Sequence, residues 1–179
     1  YGPGSIGFLT STIRHNRDHT FLELKKGLLK AYHKMMTNLR RKVPSRGNES
    51  FWSELDYEGS IRAMETTLSK ANGFHCHLHT LFLFNRPLSV EDELTAHQHI
   101  GRLWQTNVVK VLGESCAPNI SNGSDFKAIR STQHASKVGK YLSKLGFELS
   151  APNSKIAKNG SFSPFEVLDL ATKGDRWAL

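Results

Sequence analysis

Apolar residues change their period several times along this chain, and each change marks an element. Ile6 to Ile13 is rich in β-branched and aromatic residues and predicts a first strand, which Arg14-His15-Asn16-Arg17-Asp18 ends. From Phe21 to Val43, Leu24, Leu28, Tyr32, Met35 and Leu39 recur at spacings of three and four, the period of an amphipathic helix. Pro44 to Ser60 reads as a polar connection with a short turn around Phe51-Trp52. Ile61 to Lys70 and Phe74 to Phe84 predict a second and third strand joined by a hairpin turn at Ala71-Asn72-Gly73. Ser89, with Asp92 three residues on, opens a long helix through Leu112 whose buried face is Leu94, Ile100, Leu103, Trp104 and Val108. Gly113 to Ser124 is loop-like, Asp125 to Arg130 predicts a fourth strand, and His134 to Leu149 a helix. After the loop Ser150 to Ser163, Pro164 opens a last short helix. The order strand, helix, hairpin, helix, strand, helix suits an α+β fold, an antiparallel sheet with helices packed on it. There is no internal repeat and no low-complexity segment.

Composition narrows the class. At 179 residues the chain is expected to form one domain with a core of its own. Its net charge of +8 and pI of about 9.6 suit a polyanionic partner. Cys76 and Cys116 are the two cysteines and form no Cys-x-x-Cys pair, which disfavours a disulfide framework and a zinc finger. No apolar run approaches the roughly 18 residues of a membrane span, so an intracellular protein is expected. Residues 1–5 look like a cloning scar, and Trp177-Ala178-Leu179 stops within a helical pattern, so residues 6–179 read as one domain excised from a longer protein.

His75, His77 and His79 alternate along the third predicted strand and therefore share one of its faces. A row of neutral imidazoles is a natural edge for a divalent metal. Phe74, Cys76, Leu78, Thr80, Phe82 and Phe84 take the opposite face, and in the second strand Ala63, Glu65 and Thr67 lie opposite Met64, Thr66 and Leu68. Matching the two apolar faces requires paired residue numbers with an even sum, as in 65 with 79 or 67 with 77. That register sets Glu65 opposite His79 and needs a hairpin loop of three or five residues rather than a two-residue Asn72-Gly73 turn. Two imidazoles and a carboxylate around open positions suit Mn²⁺ or Mg²⁺ better than a closed structural zinc site.

In the helix predicted from His134, Val138, Leu142 and Leu145 form an apolar stripe with Tyr141 at its edge. His134, Lys137 and Lys144 fall seven before, four before and three after Tyr141, on one side of the helix. Nearby cations favour a phenolate and also hold a phosphate. A metal-polarised phosphodiester beside a lysine-flanked tyrosine makes a coherent phosphoryl-transfer site.

These motifs resemble those of the HUH single-strand DNA endonucleases, and most closely the plasmid rolling-circle replication initiators. Phe8-Leu9-Thr10-Ser11-Thr12 is similar to the family's first motif. Met64-Glu65-Thr66-Thr67 with Gly73-Phe74-His75-Cys76-His77-Leu78-His79 resembles the second, where proline commonly stands in place of Cys76. Lys140-Tyr141-Leu142-Ser143-Lys144 resembles the third, and Ser163-Pro164-Phe165-Glu166-Val167-Leu168 a segment that often follows it. The resemblance implies a fold with a ferredoxin- or RRM-like core, metal ligation by His77 and His79, and Tyr141 as nucleophile. His75 is left as a flanking residue or a further metal or phosphate contact. It also implies cleavage of single-stranded DNA at an origin or element end, with a hairpin as one possible context, through a 5′-phosphotyrosine and without a nucleotide cofactor. Arg14, Arg40, Arg41, Lys42 and Lys140 are the basic residues expected to meet the DNA, and a helicase or other domain is an expected neighbour.

One position departs from the family pattern. Many of these initiators carry a glutamate four residues before the tyrosine that activates water for the terminating cleavage, but here Lys137 stands there. Either another group such as His134 takes that role, or termination is not hydrolytic, which brings a transposase with the same first step into view. A non-catalytic single-strand-binding module is the alternative of another class, disfavoured because Phe74, Phe82 and Phe84 are expected on the core face rather than free to stack on bases. A structural zinc site of His75, His77 and Cys116 is a third alternative.

Overall fold

The computed structural model describes residues 4–119, 123–130, 136, 139, 161–175 and 177–178. Its centre is a five-stranded antiparallel sheet: β1 (Ser5–Thr12), β2 (Tyr57–Ser69), β3 (Gly73–Phe84), β4 (Ser124–Ile129) and β5 (Ser161–Phe162), in the order β4-β1-β3-β2-β5. Helices α1 (Phe21–Arg40) and α3 (Val90–Leu112) pack on one face, with a single turn α2 (Phe51–Glu54) beside them and α4 (Pro164–Thr172) near the β5 edge. This is the α+β arrangement that the periodicities predict, consistent with an HUH endonuclease fold.

Period-2 burial places the core. Leu9 and Ser11 of β1, Cys76, Leu78, Thr80, Phe82 and Phe84 of β3, and Phe126 and Ala128 of β4 are buried under the helices. On α1 the whole predicted stripe of Leu24, Leu28, Tyr32, Met35 and Leu39 is buried. Gly27 lets α1 and α3 approach, because a Cβ there would stand 2.2 Å from Leu112 Cδ2. Trp104 of α3 donates its indole N–H to the Thr12 carbonyl at 2.7 Å, fixing the helix to the end of β1. At the helix starts, Thr20 with Glu23, Ser89 with Asp92 and Ser163 with Glu166 form capping boxes.

Most strand ends differ by one residue from the sequence reading, and the larger differences are these. α1 stops at Arg40 rather than Val43: Pro44 disfavours a helical Val43, which instead bridges Glu49 in extended conformation. β2 begins at Tyr57 rather than Ile61, because Tyr57 stacks on buried Trp52 at 4.7 Å and a bulge between Tyr57 and Gly59 carries the strand onward. The two-residue β5 lies where a loop was expected, paired with Leu68 and Ser69. On α3, Leu94 is 57% exposed and does not join the core, whereas Ala96 does. Of the helix predicted over 134–149, Ser136 and Gly139 are described and helical, and the remainder falls outside the described residues.

Candidate metal centre

The β2–β3 hairpin builds the site. Ser69 pairs with Gly73, leaving Lys70, Ala71 and Asn72 as a three-residue loop, and Gly73 takes the left-handed φ of 74° that such loops demand. The even-sum register is present, but displaced by two residues from the pairing expected above. Glu65 lies opposite His77, and Ala63 opposite His79. The offset follows from where the loop sits: the expected pairing closes on residues 70 and 74 around 71–73, whereas the three-residue loop that forms is one residue earlier, at 70–72. A glutamate is long enough to serve both neighbours: Glu65 Oε2 lies 3.0 Å from His77 Nε2 and 3.2 Å from His79 Nε2.

The three side chains are at most 15% exposed, and one donor atom from each lies within 4.8 Å of the other two. Two Nε2 atoms and a carboxylate oxygen therefore converge on one point, which is the donor set of a divalent cation with open positions. His79 Nδ1 lies 3.2 Å from Thr10 Oγ1 and its ring stacks on Phe8 at 5.5 Å and 11°. With Nε2 turned to a cation, Nδ1–H would donate to Thr10, the outer support that metal-ligating histidines ordinarily have. His77 Nδ1 is buried without a hydrogen-bond partner among the described residues. These residues fit a metal ion.

Beyond this cluster, His75 sits at the same face, with its ring 5.1 Å from that of His77. Its Nδ1 is 2.7 Å from His15 Nε2, in the connection between β1 and α1. Burial, and then the neighbouring His77 and His15, push the His75 imidazole down to about 4, so it is neutral at physiological pH. Cys76 projects to the core, where Thr66 donates to its sulfur at 3.6 Å, and Cys116 is buried 3.4 Å from His19. Among the described residues the metal-capable group is Glu65, His77 and His79, so the zinc set with His75 and Cys116 is not assembled.

The expected DNA contacts separate. Arg14 is exposed two residues beyond Thr12, which stands opposite His77. Arg40, Arg41 and Lys42 are exposed at the end of α1 in the helix layer, where the Arg40 guanidinium lies 6.0 Å from the Tyr57 ring centroid. Tyr57 pairs with Phe84, seven residues along β3 from His77. At about 3.3 Å per residue that is roughly 23 Å from the histidines. His134, Lys137, Lys140, Tyr141 and Lys144 lie outside the described residues. Phe82 and Phe84 are buried and Phe74 packs on Phe21 at 5.5 Å, so these rings belong to the core side of the sheet.

The sequence reading did not single out Phe8, Thr10 or His15 as site neighbours. For Phe8 and Thr10 a signal existed, since they alternate with Leu9 and so face away from the core. For His15 none did, because only the meeting of two loops brings it to His75. No helix among the described residues is long and apolar enough to cross a membrane.

No family model matches the chain, and no solved structure matches it. The chain is similar to a protein of Streptomyces lividans named Protein rep, 27% identical over 142 residues that make up 67% of this chain. It spans 31% of that relative's length. The likeness to Protein rep is one of sequence, over two thirds of this chain.

Proposed function

We propose that this chain nicks and rejoins single-stranded DNA and so starts rolling-circle replication of a plasmid. The observation that carries the reading is the convergence of Glu65, His77 and His79 on one face of the hairpin, in a chain similar to Protein rep. Bound there, Mn²⁺ or Mg²⁺ would polarise the scissile phosphate and offset its charge. Tyr141 attacks the phosphorus through its phenolic oxygen. The Tyr141 O–P bond forms and the P–O3′ bond breaks, leaving a 5′-phosphotyrosine and a 3′-OH, with the phenolic proton balancing the departing oxygen. Lys137 and Lys144 favour the phenolate and hold the phosphate, and Arg14 and Lys140 take neighbouring phosphates. The bond energy kept in the phosphotyrosine lets a 3′-OH reverse the step and join ends with no nucleotide consumed. The partner is an origin or element end inside the cell, and further domains such as a helicase would complete the initiator.

Lys137 favours a second reading, a transposase with the same first step. A lysine ammonium cannot act as the carboxylate base of a hydrolytic termination, so either His134 serves or the reaction closes by strand transfer. One experiment tests the nicking reading. Labelled single-stranded oligonucleotides from a random pool are incubated with the protein and Mn²⁺, and the covalent adduct is isolated. A tyrosine-linked 5′-phosphate that disappears in Tyr141→Phe, with DNA binding retained, is the expected outcome. Salt-sensitive binding with no adduct on any sequence would leave a non-catalytic binding domain instead. Sequencing the attached strand and following its release as hydrolysis or as transfer to a second 3′-OH separates initiator from transposase.

A further inference from the structure

The positive charge of the chain is not spread evenly. Of its 24 Lys and Arg, ten lie in residues 24–48 and 94–113, where there is no Asp or Glu, so the other fourteen stand against all sixteen carboxylates and the rest of the chain is slightly acidic. Those stretches are α1 with the turn that follows it, and α3 beyond its first turn. Both helices pack on the core side of the sheet, so the layer opposite the histidines carries the basic excess. Periodicity then gathers much of it into a ridge. With Leu24, Leu28, Ala31, Met35 and Leu39 turned to the core, Lys26, Lys30, Lys34, Thr37 and Arg41 are all exposed, at spacings of three or four. Lys26 to Arg41 spans roughly 22 Å of helix axis, and the three lysines follow one another at about 6 Å. Among the described residues no carboxylate pairs with any of these four cations. Arg102 and Lys110 are exposed on α3, which packs against α1.

Such a row weakens its own helix. Lys26 with Lys30 and Lys30 with Lys34 are like-charge pairs four residues apart, and an anionic partner would relieve both. The ridge offers that partner charge and little else. Sites for single strands add aromatic rings on which bases stack, but Phe21 of α1 packs on Phe74, and Tyr32 and Trp104 are buried. Lysines are point charges that hold phosphate without reading base edges. A duplex presents phosphates in a fixed array, one charge per about 1.7 Å of its axis, which a straight rigid row can meet. We propose that the outer ridge of α1, Lys26, Lys30, Lys34 and Arg41, is a sequence-independent seat for the phosphate backbone of duplex DNA. It stands behind the sheet by at least one helix diameter, about 10–12 Å, so a strand held at Glu65, His77 and His79 does not cover it. The protein thereby stays on duplex DNA while its nicking face is free to take a single strand. This rests on the reading that the partner is DNA, and on neither the metal nor Tyr141.

The test uses the whole chain with a chelator present, so that no metal takes part. Fluorescence anisotropy follows binding to labelled 30-base-pair duplexes of several unrelated sequences, and to a 30-nucleotide single strand, between 50 and 200 mM salt. Four phosphate contacts predict a slope of log K against log salt of about −3.6, which is roughly 100-fold in duplex affinity over that range. The triple variant Lys26→Gln, Lys30→Gln, Lys34→Gln should lose at least about 10-fold in duplex affinity at 50 mM and about 3 of that slope. Its binding of the single strand should stay within about 3-fold of the parent, and Arg14→Gln should show the reverse pattern. Glutamine keeps the helix propensity of lysine, and thermal melting of each variant separates lost folding from lost binding. Absence of duplex binding by the parent at 50 mM overturns the proposal, as does a triple variant within about 2-fold of it. Equal losses on duplex and single strand would mean one common polyanion site, and affinities differing more than about 10-fold among duplex sequences would mean base readout; either overturns it as well. Failure to form a DNA adduct would end the nicking reading and leave these outcomes untouched.

Discussion

Adjacent residues of β3 meet two different demands. Cys76, Leu78, Thr80 and Phe82 face the helices and are at most 1% exposed, while His75, His77 and His79 alternate with them on the other side of the sheet. On the first side what matters is volume and apolarity, because burial and close packing supply the stabilisation. On the second side what matters is the direction of a lone pair: Glu65, Thr10 and His15 each lie at hydrogen-bond distance from one histidine nitrogen or more. A side chain of the first kind can be exchanged for another of its shape, and one of the second kind cannot.

Neighbouring substitutions should divide accordingly. His77→Ala is expected to weaken Mn²⁺ binding by about 100-fold or more while the melting temperature of the metal-free protein moves little. Leu78→Ala should lower stability by about 2–5 kcal/mol, read by denaturant unfolding, and leave Mn²⁺ affinity within about 3-fold. Equal losses of stability in the two variants would break the distinction between the faces.

The sharper test is pH. His75 titrates near 6.5 when unfolded and at about 4 in the fold, so below pH 6.5 the unfolded chain takes up a proton that the folded chain does not. Its contribution to the stability of the metal-free protein is therefore lost as pH falls from 6.5 toward 4, at up to about 1.4 kcal/mol per pH unit. His75→Gln should remove that part of the slope, and an unchanged slope would contradict a neutral, half-buried His75. Two smaller effects complete the series. Gly73→Ala forces a side chain to φ 74° against the Arg17 backbone and should cost about 1–2 kcal/mol, with Mn²⁺ affinity falling because the hairpin carries the ligands. Ser89→Ala removes the α3 cap and should cost about 1 kcal/mol with no change in metal binding, since α3 lies across the sheet from the histidines.

The elements were legible because each has a period and a punctuation. Ser89 with Asp92 marked the start of α3, Pro164 that of α4, and the apolar stripe on α1 reads directly from its spacing. Hydrophobic alternation also fixed which face of β2 and β3 carries Glu65 and the histidines, since a one-residue slip would bury the imidazoles and expose Leu78. It could not choose between a three-residue loop at 71–73 and one at 70–72, because both keep the same faces together. The missed start of β2 and the exposure of Leu94 have a related cause: Trp52 stacking on Tyr57 and the lateral fit of α3 are settled by neighbours distant in sequence.

By itself, then, the sequence determined the α+β class, the apolar face of each strand and the alternation that sets Glu65 on the side of His77 and His79. Local period and steric alternation are enough for that. Only the tertiary structure decided that Glu65 stands opposite His77, that Thr10 and Phe8 support His79, that Arg40 lies far from the histidines and that His15 reaches His75. Each of these depends on how far one segment slides along another or how two loops meet, and no pattern within a single segment carries that distance.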